Sequence, residues 1–289
     1  MKPEDVVARY YNRTLQQYVR RWAGTTGCLH YGYTDATHHT HAESLQNTVF
    51  QLIRVSGLRS RPAATPLRIL DAGSGLGGGA ILLAETLGAE VDGITLSTAQ
   101  QRYATLRFGC EGRTPPSQGH VRFAVQDYRR VPQKDAYYDA VFFLESACHS
   151  DAQDLLKESY RLLKPGGVIA IADGTIRNDF ALAHAVREYD RWRTRWHVHA
   201  LLRLADWRFA LVRRGFVGVH AEDWTHFVGP SIQRLGRQAR RARPVARVLR
   251  VVGRMSDDAW ANVEAAVLWD RLVASGACGY GAVSATKSP

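Results

Sequence analysis

The chain has 289 residues, 45% of them apolar, and 38 Lys+Arg against 27 Asp+Glu give it a formal net charge of +11. That apolar content supports a substantial core and excludes disorder as the default, and with no run of about 18 consecutive apolar residues a membrane span is not expected. Met1–Asp5 has no apolar signal stretch, and Cys28, Cys110, Cys148 and Cys278 are widely spaced without a C-x-x-C pair, which reads as free thiols in a cytoplasmic protein.

Residues 4–22 read as an amphipathic helix, because Val6, Val7, Tyr10, Tyr11, Leu15, Tyr18 and Trp22 recur at three- and four-residue intervals. Leu29-His30-Tyr31-Gly32-Tyr33 follows as an aromatic patch in a loop. His38, His39 and His41 do not have the i, i+4 spacing that puts two imidazoles on one helix face, and no Cys or acid completes a tetrahedral set, so no metal site is expected there. A second helix is expected over 42–57, ending at Gly57, and then a Pro- and Arg-rich linker over Arg59–Pro66.

From residue 67 strand and helix patterns alternate, which predicts a parallel sheet with right-handed crossovers. Strands are placed at 67–71, 90–95, 121–125, 138–144, 167–173, 216–222 and 280–286. Residues 178–212 read as helix, and 229–275 as a mostly helical insertion that serves as half of a lid. The predicted organisation is an N-terminal helical cap over 1–60, a core over 61–175, and over 176–289 a lid together with the last two strands. Eight arginines crowd the insertion: Arg234, Arg237, Arg240, Arg241, Arg243, Arg247, Arg250 and Arg254. Such a run can hold a diphosphate, touch RNA, or form a solvated helix face.

The first strand runs into Asp71-Ala72-Gly73-Ser74-Gly75-Leu76-Gly77 and then into helical composition. Strand, glycine turn and helix is the setting of a nucleotide-binding loop, and glycine allows the positive φ and close backbone approach it needs. The Lys-Ser/Thr of a phosphate-cradling loop is missing. The acid at the strand end suits a cationic ligand such as an amino-acid ammonium.

Leu70–Gly78 resembles the first motif of class I S-adenosylmethionine-dependent methyltransferases. Gly93-Ile94-Thr95-Leu96-Ser97-Thr98-Ala99-Gln100 resembles the second-strand motif of the sterol, cyclopropane-fatty-acid and isoprenoid-diphosphate C-methyltransferases, and Leu144–His149 and Leu163–Gly167 continue the match in order. The resemblance covers roughly residues 25–230. It implies an α/β, Rossmann-like, doubly wound sheet of order 3-2-1-4-5-7-6, with N-terminal helices and the lid inserted near the C-terminus. It also implies S-adenosylmethionine as cofactor, with Mg2+ entering alongside a diphosphate substrate.

The resemblance places the cofactor against Asp71, Gly73, Gly75, Gly77, Thr95, Leu96, Gln100, Gln126, Asp127 and Leu144. Thr95-Leu96 and Gln100 stand where many relatives carry a ribose-binding acid, and hydroxyl and amide can replace it. Asp127 suits the adenine amine. Glu145, after the apolar run Ala140–Leu144, is the expected base, its pKa raised by desolvation. His149 is a relay or substitute and Tyr31 a further catalytic candidate. Tyr11, Tyr33, Trp192, Trp196 and Trp224 are the expected substrate-binding aromatics, whose faces stabilise positive charge.

The leading expectation is methylation of an alkene carbon in an isoprenoid diphosphate through a carbocation. The alternatives are an O- or N-methyltransferase acting on a secondary metabolite and a sterol or lipid C-methyltransferase. Nucleic-acid binding fits the net charge, but the chain has neither an appended RNA-binding motif nor an Asn/Asp-Pro-Pro-Tyr/Phe-like motif after strand four. A non-catalytic scaffold would not need the glycine loop and Glu145. The partner is therefore expected to be a small molecule, and oligomeric state is left open, a homo-oligomer included.

Overall fold

In a computed structural model, residues 3–59, 65–108 and 119–289 are described. Most of the expected linker, and Cys110, lie outside them. Seven strands form one sheet: β1 (Arg68–Ala72), β2 (Glu90–Thr95), β3 (His120–Val125), β4 (Tyr138–Leu144), β5 (Leu163–Ile176), β6 (Phe216–Asp223) and β7 (Cys278–Lys287), in the order β3-β2-β1-β4-β5-β7-β6. Every residue of β4 is buried, as expected of a central strand covered on both faces. The strand order turns back between β1 and β4, so the carboxyl ends of β1, β2 and β4 open on one crevice.

The sheet is mixed, where the sequence pattern predicts a parallel one. β7 runs antiparallel to both β5 and β6, and its first residue, Cys278, pairs with Ile176 at the end of β5. The cause lies in the insertion. Its helices α9 (Thr225–Val251) and α10 (Asp257–Ala274) pack on each other and leave from the carboxyl end of β6, and β7 re-enters the sheet at that same end.

The N-terminal helix α1 (Pro3–Tyr18) stops short of residue 22 and passes into a wider turn, Val19–Ala23, which buries Trp22 and sends its indole N–H to the His30 carbonyl. Helix α2 (His41–Ser56) is held by a reciprocal cap between Thr40 and Glu43 and ends at Gly57 in the left-handed conformation. Of the three histidines at its start, His38 pairs with Asp35 and His41 bonds the Trp22 carbonyl. Helices α3 (Gly78–Leu87), α4 (Thr98–Phe108) and α5 (Ala152–Leu162) complete the crossovers.

The expected helix over 178–212 is broken into α6 (Asp179–His184), α7 (Val186–Arg195) and α8 (Leu204–Arg214). Between α7 and α8 the backbone bonds to neighbours in place of its own turns: His199 N–H reaches the Cys148 carbonyl and Ile176 N–H the Leu202 carbonyl. His197, at φ +53°, makes the break, and Val198 and Leu201 are buried by it. One apolar cluster packs α2, α3 and the lid on one face of the sheet, and a second packs α5 and α8 on the other.

Candidate active site

A cavity of about 1270 Å³ runs from the carboxyl ends of β1 and β2, past β4 and β5, to the lid. Ligand pockets are typically about 300–1,000 Å³, so this one has room for two ligands in line.

At one end lies the loop after β1. Asp71 is 1% exposed, and its Oδ1 has no hydrogen-bond partner among the described residues. Burial alone pushes its pKa up to about 7. Ser74 Oγ nearby is also buried without a partner among the described residues. A buried carboxylate and hydroxyl left unsatisfied call for a bound group, and an α-ammonium with its carboxylate fits this pair. Gly73 (φ +97°) lines the cavity, and a Cβ there would fall on the Ser146 side chain. Gly75 lines it too. Gly77 does not: its φ of +92° and the Phe123 and Ala104 side chains against it make it a packing glycine at the start of α3, a correction to its expected place beside the cofactor.

Thr95, Leu96, Gln100, Gln126, Asp127 and Leu144 all line the same end. Thr95 Oγ1 donates to Gln100 Oε1 at 2.7 Å, which fixes the amide with its N–H2 free to donate. Asp127 is held by Arg129, which also pairs with Glu4 of α1. Burial pushes Asp127 up, but hydrogen bonds from the Arg129 side chain and backbone, with the Arg129 and Arg130 charges, together outweigh it and the net shift is downward. The carboxylate expected to suit the adenine amine is thus paired with a guanidinium two residues on.

Glu145 stands at the middle of the cavity. Its Oε1 accepts the Tyr31 N–H at 2.5 Å and the Tyr280 hydroxyl at 2.8 Å, and Oε2 has no partner among the described residues. Burial raises its pKa to about 8, with the Asp173 charge adding to the rise and the two donors opposing it. The residue sits at φ +52°, a conformation that side chains rarely adopt, so the backbone is strained where the carboxylate is presented. Asp173, 6% exposed, accepts the Cys148 and Gly174 N–H groups, and burial raises it to about 6. Asp173 and Tyr280 were not among the expected site residues. Asp173 follows the apolar run of β5 as Asp71 and Glu145 follow theirs, a signal that could have found it.

His149 lines the cavity, but both its ring nitrogens are engaged. Nδ1 lies 3.0 Å from the His197 carbonyl, which can only accept, so Nε2 accepts a hydrogen bond from the Tyr11 hydroxyl at 3.0 Å. Burial lowers the His149 pKa, which keeps the ring neutral. Tyr11, Tyr31, Trp192 and Trp196 all line the cavity, joined by Trp269, whose ring stacks on Trp192 at 4.6 Å. The Tyr31 hydroxyl and the Trp192 and Trp269 indole N–H groups are buried without partners among the described residues.

Tyr33 and Trp224 are not in the cavity wall. Tyr33 stacks on Phe227, and Trp224, 1% exposed, meets Tyr33 edge-on and donates to Glu222. They form a core contact between the aromatic patch and the start of α9, not the substrate-binding surface expected of them.

The roof is made by α1 and α10. Asn262 joins them: its Oδ1 accepts Trp196 Nε1–H and the Tyr18 hydroxyl, and its Nδ2 donates to Gln17. Arg20, Arg21, Arg241 and Arg254 line the cavity with no ion pair among the described residues, whereas Arg240, Arg243 and Arg250 are paired with Asp270, Glu264 and Asp257. Among the described residues no three His, Cys, Asp or Glu side chains gather as a metal site.

Residues 70–171 match the family described as a methyltransferase domain. A 2-methyl-6-phytyl-1,4-hydroquinone methyltransferase of Synechocystis sp. is 32% identical over 53% of this chain and 49% of its own, so the chain spans about half the length of that curated relative. In three dimensions a geranyl diphosphate methyltransferase solved with GPP and sinefungin overlays with a TM-score of 0.76 at 19% identity, covering 99% of this chain and 100% of the other. The geranyl diphosphate C-methyltransferase of Streptomyces coelicolor A3(2), solved with Mg2+, geranyl-S-thiolodiphosphate and S-adenosyl-L-homocysteine, gives 0.74 at 20% identity, covering 99% and 98%. Residues 70–171 thus match a methyltransferase domain, and nearly the whole chain shares the fold of the solved methyltransferases. Its sequence similarities include methyltransferases of a phytyl-hydroquinone, of sterol type and of tocopherol.

Proposed function

We propose that this protein methylates an alkene carbon of an isoprenoid diphosphate. The observation that carries the reading is Glu145: a carboxylate with a free oxygen and a pKa near 8, set between the cofactor loop and an aromatic wall. S-adenosylmethionine, when bound, supplies an electrophilic methyl group on its sulfonium. Asp71 and Ser74 would hold its amino-acid end, Gln100 a ribose hydroxyl, and Gln126 and Asp127, with its Arg129 partner, the adenine edge. The alkene carbon takes the methyl group and the adjacent carbon becomes cationic. The faces of Trp192, Trp196, Trp269 and Tyr31 stabilise that charge, and Glu145 Oε2 removes the proton that restores the double bond. Arg20, Arg21, Arg241 and Arg254, without ion pairs among the described residues, would supply four cations for the diphosphate, to which Mg2+ would come with the substrate.

A second reading, O-methylation of a phenolic acceptor, is favoured by the neutral His149 ring in the same cavity, which would deprotonate a hydroxyl if Tyr11 gave way. Labelled S-adenosylmethionine offered with isopentenyl, geranyl and farnesyl diphosphates, a sterol and phenols separates the two. Under the first reading a diphosphate takes label, and Glu145→Gln lowers the rate by about 10²–10⁴-fold with cofactor affinity unchanged. Label in the phenols alone refutes it.

A further inference from the structure

Helix α9 carries seven arginines, Arg254 follows just after it, and no acid lies between Thr225 and Arg254. Those held by carboxylates, Arg240, Arg243 and Arg250, find them on α10. Arg234, Arg237 and Arg241 have no ion pair among the described residues. They share one outward stripe with Val245, Val248 and Val252, at steps of three and four residues. These valines are 63%, 61% and 58% exposed, and Val251 beside them is 81% exposed. Single exposed apolar residues are ordinary; four at one helix end, flanked by unpaired cations, form a patch. The stripe also reaches the cavity, because Arg241 and Val245 belong to its lining.

We propose that the outer face of α9 docks the protein on an anionic lipid surface, with the cavity opening toward that surface. A helix with cations beside an apolar edge lies in a membrane interface, its valines among the acyl chains and its arginines at the headgroups. No helix of the described residues is long and apolar enough to cross a membrane, so the contact is with the surface. A nucleic-acid backbone would use the arginines but gain nothing from the valines, and the aromatic platforms of single-strand binders do not accompany this stripe. The inference goes beyond the methyl-transfer reading and does not depend on it.

Flotation of the full chain with vesicles of phosphatidylcholine alone, or with about 30% phosphatidylglycerol, tests it. Binding to the anionic vesicles is expected to be at least about tenfold tighter and to weaken with salt. The double variant Val248→Asn/Val252→Asn is expected to lose about tenfold in binding, and Arg234→Gln/Arg237→Gln to lose most of the anionic preference. Both variants should keep the melting temperature and the affinity for S-adenosylhomocysteine, which shows them folded. Equal binding to both vesicle types, or none, overturns the proposal. So does tight binding of a single-stranded RNA with vesicle binding that the valine substitutions leave unchanged.

Discussion

Replacing Asp71 by asparagine should strengthen the cofactor-free protein and cripple its hold on the cofactor. The gap between a folded pKa of about 7 and the ordinary 3.8, at about 1.4 kcal/mol per pH unit, makes an ionised Asp71 cost the cofactor-free fold about 4 kcal/mol. The raised folded value sets the sign. The group's contribution is fully present below the unfolded pKa and is lost as pH rises through about 7, with about 2 kcal/mol of the loss falling between roughly pH 5.5 and pH 8. Asparagine, of nearly the same shape, has no charge to desolvate. Urea unfolding without cofactor is therefore expected to show Asp71→Asn at least as stable as the parent at pH 8, with the advantage shrinking toward pH 5.5. Isothermal titration with S-adenosylhomocysteine should show affinity falling about a hundredfold, since a buried charge-assisted contact is worth about 3 kcal/mol. A variant less stable at pH 8 and undiminished in affinity would refute the argument that Oδ1 awaits a cation.

Four further outcomes are expected. With its folded pKa near 8, Glu145 can accept a proton only once ionised, so kcat/KM should rise with pH and level off above about 8. Tyr280→Phe removes a donor that favours the ionised form, and should move that midpoint upward. Asn262→Ala leaves the Trp196 N–H without its acceptor and frees Tyr18 and Gln17. It should cost about 2 kcal/mol in urea unfolding and speed tryptic cleavage after Arg13, Arg20 and Arg21. Gly236→Ala would press a methyl group on the Asp270 carboxylate, which is bonded to Arg240, and should lower stability by about 1–3 kcal/mol by thermal unfolding.

Much of the core was legible because its signals are local. A two-residue period and continuous apolar runs mark strands, and a strand-end acid followed by glycines marks the loop whatever packs around it; hence β1, β4, Asp71 and Glu145 were placed from sequence. Elements decided by distant partners were not. The direction of β7, and with it the arrival of Tyr280 beside Glu145, follows from where α10 ends in space. The burial of Tyr33 and Trp224 depends on Phe227, nearly two hundred residues from the aromatic patch, and no local pattern separates a core tryptophan from one facing a ligand. The break after α7 depends on the Cys148 carbonyl and the Ile176 N–H, which a helical period cannot reveal.

The left-handed backbone at Glu145 sets the protein's durability against its chemistry. Glycine would rest there without the roughly 1–2 kcal/mol that an L side chain gives up, and it would also remove a carboxylate that burial penalises. A library ranked by heat resistance alone should enrich glycine at position 145, and one ranked by turnover should restore the glutamate.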